Sequence, residues 1–301
     1  MPRSHPPALL KIVERTLREE CGSLRGERVL IAVSGGGDSQ GLLHVLARLA
    51  PKLGFALAAH GVDHGLREEA SAELDVAEEL ARRCGVAFSR SRVQVDPGGN
   101  LQARARAARY AALARAAEAE SCTLIATAHH ADDRAETVLL RMLRGAGPRG
   151  LAVLPARTAE FLRPLIRARR ADIQAHVARH ALPVCHDPSN LDPRFLRVRV
   201  RRELLPLLEL LSPRIVEHLN ALADALGERA APLVVEQPGE LPAPLGRTHL
   251  VALRRAVRLG QRGARVSLPG GRVARVEGRS GQPVVVLEPR KRGRYARKKP
   301  G

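Results

Sequence analysis

Five apolar residues, Val29 to Val33, run directly into Ser34-Gly35-Gly36-Gly37-Asp38-Ser39, and this junction constrains the fold more than any other stretch. A short aliphatic, β-branched run stopped by three glycines reads as a buried parallel strand that ends abruptly. Helical spacing resumes at Gly41, Leu42 and Leu43, which puts Asp38 or Ser39 at a helix N-terminus. Glycines there let backbone N–H groups approach a polyanion, and the helix end adds partial positive charge. Strand, glycine turn and helix start together predict a phosphate site.

Two other glycine loops are excluded by single residues. A Walker A loop needs Lys-Ser or Lys-Thr after its last glycine, and no lysine lies between Lys11 and Lys52. A dinucleotide fingerprint starting at Gly35 needs glycine at position 40, where Gln40 stands.

Apolar runs recur at residues 28–33, 55–60, 86–95 and 123–127, separated by helical stretches at 39–50, 68–84 and 100–120. A lead-in helix at 9–20 precedes them, and another helix follows at 132–144. Pro51 is expected to end the 39–50 helix and Asn100 to cap the 100–120 one. This alternation predicts an α/β fold, a doubly wound parallel sheet covered on both faces. Ligands of such sheets sit beyond the C-terminal strand ends. Residues 34–39, 60–67 and 129–136, the chemically dense stretches, each follow a strand in this reading.

Beyond 145 the pattern changes. A helix is expected over 169–180, a Leu-rich helical region over 195–226 and a Pro-rich loop over 237–244. A helix over 247–259 and short strands at 266–268, 273–276 and 284–287 follow. The predicted organisation is a catalytic domain at 1–210, a helical linker region at 211–244, a small α+β part at 245–289, and a basic tail at 290–301.

A net charge of +19 favours a polyanionic partner. Only five of the 50 basic residues are lysine, so compositional bias toward arginine weakens that inference. Cys21, Cys84, Cys122 and Cys185 are scattered with no Cys-x-x-Cys, against a zinc ribbon or iron–sulfur centre. No apolar run approaches the ~18 residues of a membrane span. The first seven residues lack a signal peptide's apolar centre, so a cytoplasmic location is expected.

Several motifs stand in order. They are Ser34–Ser39, then His60-Gly61-Val62-Asp63-His64-Gly65-Leu66-Arg67, then Asn100 with Ala105-Arg106 and Arg109-Tyr110. His129-His130-Ala131-Asp132-Asp133-Arg134-Ala135-Glu136-Thr137 and Arg144-Gly145-Ala146-Gly147 follow, then Arg163-Pro164-Leu165, Asp187-Pro188-Ser189-Asn190 and Arg197-Val198-Arg199-Val200-Arg201. The loop resembles that of ATP pyrophosphatases, and the ordered series, over about residues 28–210, resembles the tRNA(Ile)-lysidine synthetase family. Val198 departs from the Arg-Asn-Arg usual there.

The resemblance implies an adenine nucleotide alpha hydrolase-like sheet and an ATP-dependent carbon–nitrogen ligase. It implies ATP and Mg²⁺, tRNA(Ile) with a CAU anticodon, and free L-lysine; a homodimer is compatible with it. In that family the cytidine C2 oxygen attacks the ATP α-phosphate and releases pyrophosphate. The lysine amine then attacks C2 and displaces AMP. ATP binding falls to Ser34, Gly35, Gly36, Gly37, Asp38, Ser39 and His60, with Asp38 a candidate Mg²⁺ ligand. Asp133 and Glu136, three apart, share a helix face, and paired carboxylates suit an amine. They join Asp38 as catalytic candidates, and Arg106 and Arg109 join them as lysine-binding candidates. Arg197, Arg199 and Arg201 alternate, which fits an extended segment tracking tRNA phosphates.

His129 and His130 read either as a base or as strand-end residues. His176 and His180, at i,i+4 without a zincin's glutamate, read as a solvated face. A tRNA thiolase would call for catalytic cysteines, and a non-catalytic basic RNA-binding protein would not retain so intact a loop.

Overall fold

The computed structural model describes residues 8–63, 70–94, 101–185, 194–230, 247–258, 263–269, 272–279 and 282–287. His64 to Arg67, Asn100, the 187–190 motif, the 237–244 loop and the basic tail lie outside them.

The strands β1 (Arg28–Val33), β2 (Ala56–Asp63), β3 (Ala87–Arg92), β4 (Leu124–Ala126) and β5 (Phe161–Leu162) form one parallel sheet ordered β3-β2-β1-β4-β5. Alternation along β1 decides which layer each residue joins. Val29, Ile31 and Val33 pack with α1 (Leu9–Glu20), α2 (Gly37–Leu53), α3 (Ala70–Arg83) and α7 (Arg170–Arg179). Leu30 turns the other way, with Ala58 and Ile125, toward Leu113, Ala116 and Ala117 of α4 (Leu101–Ala119). Burying both faces is what near-continuous apolar strands require.

The order reverses between β1 and β4, so their C-terminal ends border the crevice where such sheets bind ligands. The Ser34–Ser39 loop leaves β1 there, and the segment opening α5 (Ala131–Leu143) leaves β4 beside it.

Three expectations change, and one strand is new. Pro51 does not end α2; it lies inside the last turn, where it lacks the N–H that would bond Ala47 O, and the helix continues to Leu53. Gly54, at φ +75, stops the helix by donating to Ala50 O at 2.8 Å. Strand β2 runs on to Asp63, so His60 lies within the sheet, paired in register with Ser89, rather than at its edge. Strand β5, only two residues long, carries too little periodicity to be read. Finally, the Leu-rich region is broken: α8 (Leu196–Arg199) passes into a π-helical stretch (Val200–Leu204), then α9 (Leu205–Leu211) and α10 (Ile215–Ala230). Val200, Leu205, Val216, Leu219 and Ala223 bury the inner face of α5 through Ala135 and Val138. A one-turn helix, α6 (Pro148–Leu151), follows the Gly145–Gly147 turn.

The chain divides into compact units at Met1–Gly227 and Glu228–Gly301. In the second, α11 (Arg247–Arg258) packs Leu253 on an antiparallel sheet of β6 (Arg265–Leu268), β7 (Arg272–Arg279) and β8 (Gln282–Leu287). Among the described residues no helix is long and apolar enough to cross a membrane.

Candidate active site

Gly35 is required twice over: its φ is +72, and a Cβ there would lie 2.4 Å from the backbone oxygen of Glu73. Its carbonyl accepts from Cys185 N at 3.0 Å, which fixes the loop from a second side. Ser39 Oγ accepts from Ser34 N at 3.2 Å and donates to Gly36 O at 2.9 Å, closing the turn on itself. No side chain caps α2 at Gly36. The first-turn N–H groups are therefore available to an anion, and a Cβ at Gly36 or Gly37 would meet nothing closer than 3.8 Å. Asp38, in that first turn with its side chain 40% exposed, offers hard oxygen donors. This cradle fits a phosphate with Mg²⁺.

Across the crevice, His130 caps α5 and is wholly buried. Its Nε2 lies 3.6 Å from Asp38 Oδ2 and 3.4 Å from Asp133 Oδ2, and its Nδ1 lies 3.5 Å from Asp132 Oδ2. Burial opposes charging the ring, but Asp132, Asp38 and Asp133 outweigh it and push its pKa up to about 9. Asp133 N also approaches Nδ1 at 3.4 Å, a contact only a neutral ring accepts, and Arg170 Nη2 stands 3.4 Å from Nε2. With three carboxylates around it, the charged form prevails. Asp132 accepts from Arg169 at 2.9 Å and from Arg170 N at 2.8 Å. Burial opposes its ionisation, yet His130 and Arg169 hold its carboxyl well below the usual range.

Asp133 and Glu136 do share one face of α5, and two arginines meet it. Arg201 grips Glu136 through Nε at 2.5 Å and Nη2 at 2.9 Å, and Arg197 Nε reaches the same carboxylate at 3.1 Å. Both also reach Asp133 Oδ1 at 3.4 Å. Burial opposes ionisation of Asp133 too, but His130 and Arg197 lower its pKa. The extended 197–201 segment is thus corrected to a helical one. At i,i+4, Arg197 and Arg201 share the inward side, while exposed Arg199 pairs with Glu203 of its own helix at 3.1 Å.

An adjoining cavity of about 230 Å³ is lined by Arg106, His129, Thr137, Arg141, Val153, Leu154 and Arg197. Arg106 stacks on Tyr110 with its guanidinium carbon 5.0 Å from the ring centroid; Arg109 is at 5.7 Å from the same ring. Burial holds the His129 pKa down to about 4, against the pull of Asp133, so this ring is neutral. His60 stands apart. It is buried, with Nδ1 2.8 Å from Ser89 Oγ and Nε2 2.9 Å from Ser91 Oγ.

The structure therefore brings together Asp38, Asp133 and Glu136 through His130, Arg197 and Arg201, with Arg106 across the cavity. Asp132, Arg169 and Arg170 were not singled out from sequence; the acidic pair beside His130 was their only signal. His176 is buried, not solvated, against His44. The four cysteines are free thiols.

Residues 9–208 match the family profile of the PP-loop domain. The chain is similar to the tRNA(Ile)-lysidine synthase of Thermobifida fusca, 38% identical over 264 residues, 85% of this chain and 82% of that one. It is 41% identical over 250 residues to the Pseudomonas aeruginosa protein of that name, covering 77% of this chain and 56% of the longer relative. Among solved structures, a U34-tRNA thiolase from Methanococcus maripaludis shares the fold at TM-score 0.62 and 19% identity, over 74% of this chain and 81% of that one.

Proposed function

The chain belongs to the tRNA(Ile)-lysidine synthase family, and on that premise we propose that it ligates lysine to C2 of the wobble cytidine in the CAU anticodon of tRNA(Ile), using ATP. The observation that carries the site assignment is the convergence of Asp38 and Asp133 on one buried imidazole ring, His130. It ties the phosphate loop to the carboxylate pair within one crevice.

The loop N–H groups and the α2 N-terminus hold the pyrophosphate half of ATP, and Asp38 would hold Mg²⁺, which would supply positive charge against the leaving pyrophosphate. His130, charged at neutral pH, keeps Asp38 and Asp133 in place and counters their mutual repulsion. Attack by the cytidine C2 oxygen on the α-phosphate releases pyrophosphate and leaves an adenylated cytidine. The lysine ε-amine then attacks C2, and AMP departs.

Asp133 and Glu136 receive an amine of lysine, in competition with Arg197 and Arg201. Arg106, across the cavity, receives the lysine carboxylate, with Arg109 steadying Tyr110 beneath it. His60 supports the sheet next to the loop through Ser89 and Ser91. Arg199, exposed, is the member of its trio aimed at tRNA phosphate. Among the described residues no disulfide joins the four cysteines.

The test is exchange of labelled pyrophosphate into ATP in the presence of tRNA. The proposal predicts exchange that depends on tRNA(Ile) and not on lysine; no exchange at saturating Mg²⁺ overturns it.

A further inference from the structure

His44 on α2 faces His176 on α7 and His180, which caps the C-terminus of α7, and one nitrogen from each ring lies within 4.8 Å of the others. His44 Nδ1 is 2.9 Å from His176 Nε2, and the three ring centroids stand 4.5–5.0 Å apart. The close approach is built in. Gly41, one turn before His44, has no side chain where Ile173, one turn before His176, comes against α2; a Cβ there would lie 2.9 Å from Ile173 Cγ2.

We propose that these three histidines form a structural site for a divalent late transition metal, zinc being the natural probe, that staples α2 to α7. Two histidines at i,i+4 on one helix face are a recurrent way to present two nitrogens to one metal. A third from a neighbouring helix completes a set that leaves a fourth position for water. The all-nitrogen donor set, without carboxylate, selects zinc-like metals over magnesium or calcium. Metal bound at about 2.0–2.1 Å would set the nitrogens about 3.4 Å apart, a sub-ångström adjustment from the His44–His176 contact.

Burial holds His44 and His176 below the usual histidine range, His176 at about 4, so both rings are neutral near neutral pH; one of the two facing nitrogens then donates to the other at 2.9 Å, and metal binding replaces that hydrogen bond. Arg48 and Arg179, the nearby cations, are exposed, and solvent screens their repulsion. Both helices begin at the active site: α2 at the phosphate loop, α7 beside Asp132. His44 is seven residues into α2, about 10 Å along its axis from Gly37. The metal thus acts on the relative setting of the two helices and not on the reacting atoms.

The test uses untagged full-length protein, stripped with chelator and titrated with zinc sulfate, with bound zinc measured by elemental analysis and calorimetry. The expected result is one equivalent per chain and a thermal midpoint raised by roughly 3–6 °C at tenfold excess over Kd. His180→Ala, at an exposed position, should keep the metal-free midpoint and bind zinc at least about tenfold more weakly. Cobalt(II) in the wild-type protein should give the visible bands of a four-coordinate nitrogen site, and lose them in His44→Gln. No zinc bound at micromolar free metal, or zinc bound by both variants as tightly as by the wild-type protein, overturns the proposal. Neither outcome bears on pyrophosphate exchange, which reads the ATP site alone.

Discussion

Arg201 donates to Glu136 through both Nε, at 2.5 Å, and Nη2, at 2.9 Å, and the carboxylate it grips is 1% exposed. Stranding one member of a fully buried pair costs about 3–5 kcal/mol, but Arg201 is 25% exposed and also reaches Asp133. Glu136→Ala should therefore lower stability by less than that, read by urea denaturation. Glu136→Gln keeps an acceptor oxygen and should fold. If the pair receives the lysine amine, this variant loses about 10–150-fold in lysine use while tRNA adenylation persists. Equal loss of both steps in single-turnover assays would place Glu136 in the ATP site or in the fold alone.

The two loop glycines should separate by mutation. Gly35→Ala meets both a left-handed φ and a backbone oxygen 2.4 Å away, so it should destabilise the loop and lower the thermal midpoint. Gly36→Ala has an ordinary φ of −72 and open space, so it should fold normally and weaken only ATP binding. Matching midpoints for the two variants would contradict this reading of the turn.

His130 and His176 make stability depend on pH in opposite senses. The His130 pKa rises from 6.5 to about 9, so its contribution is complete below 6.5 and fades as pH climbs through 9. The His176 pKa falls from 6.5 to about 4, so its contribution is present above 6.5 and fades as pH drops through 4. Nucleotide-free protein should lose stability on both sides of neutrality. His130→Gln should flatten the alkaline side; an unchanged alkaline side would mean that the ring is neutral.

Arg199 should report on tRNA electrostatics. Its only described partner is Glu203, itself exposed, a pair that contributes little to folding. Arg199→Ala should reduce the slope of log affinity against log salt by roughly 0.7–0.9 and leave ATP binding unchanged. Arg201→Ala should instead impair lysine transfer. The reverse pattern would exchange their roles.

Much of this was legible in the chain. Strand β1, the glycine turn and α5 each carry strong local signals: an apolar run, a conformational requirement, and a 3.6-residue face. What the sequence could not convey depended on long-range pairing. Arg197 and Arg201 alternate like strand residues, yet Val200 and Leu205 pack on α5 and draw the segment into helix. His60 looked like a loop residue because β2 continues past its apolar run, stabilised by pairing with β3. His176 gave no sign of burial, since its neighbour His44 lies 132 residues away.

The central claim is the product, and mass analysis of the wobble nucleoside tests it most directly. The protein would be incubated with unmodified tRNA(Ile) bearing CAU, ATP, Mg²⁺ and lysine, and the tRNA then digested to nucleosides. The account predicts that the wobble cytidine is replaced by its lysine adduct, only when ATP and lysine are both present, and that Asp38→Asn abolishes it. An unaltered cytidine after tRNA-dependent ATP cleavage, or a sulfur-bearing nucleoside in place of the lysine adduct, would contradict it.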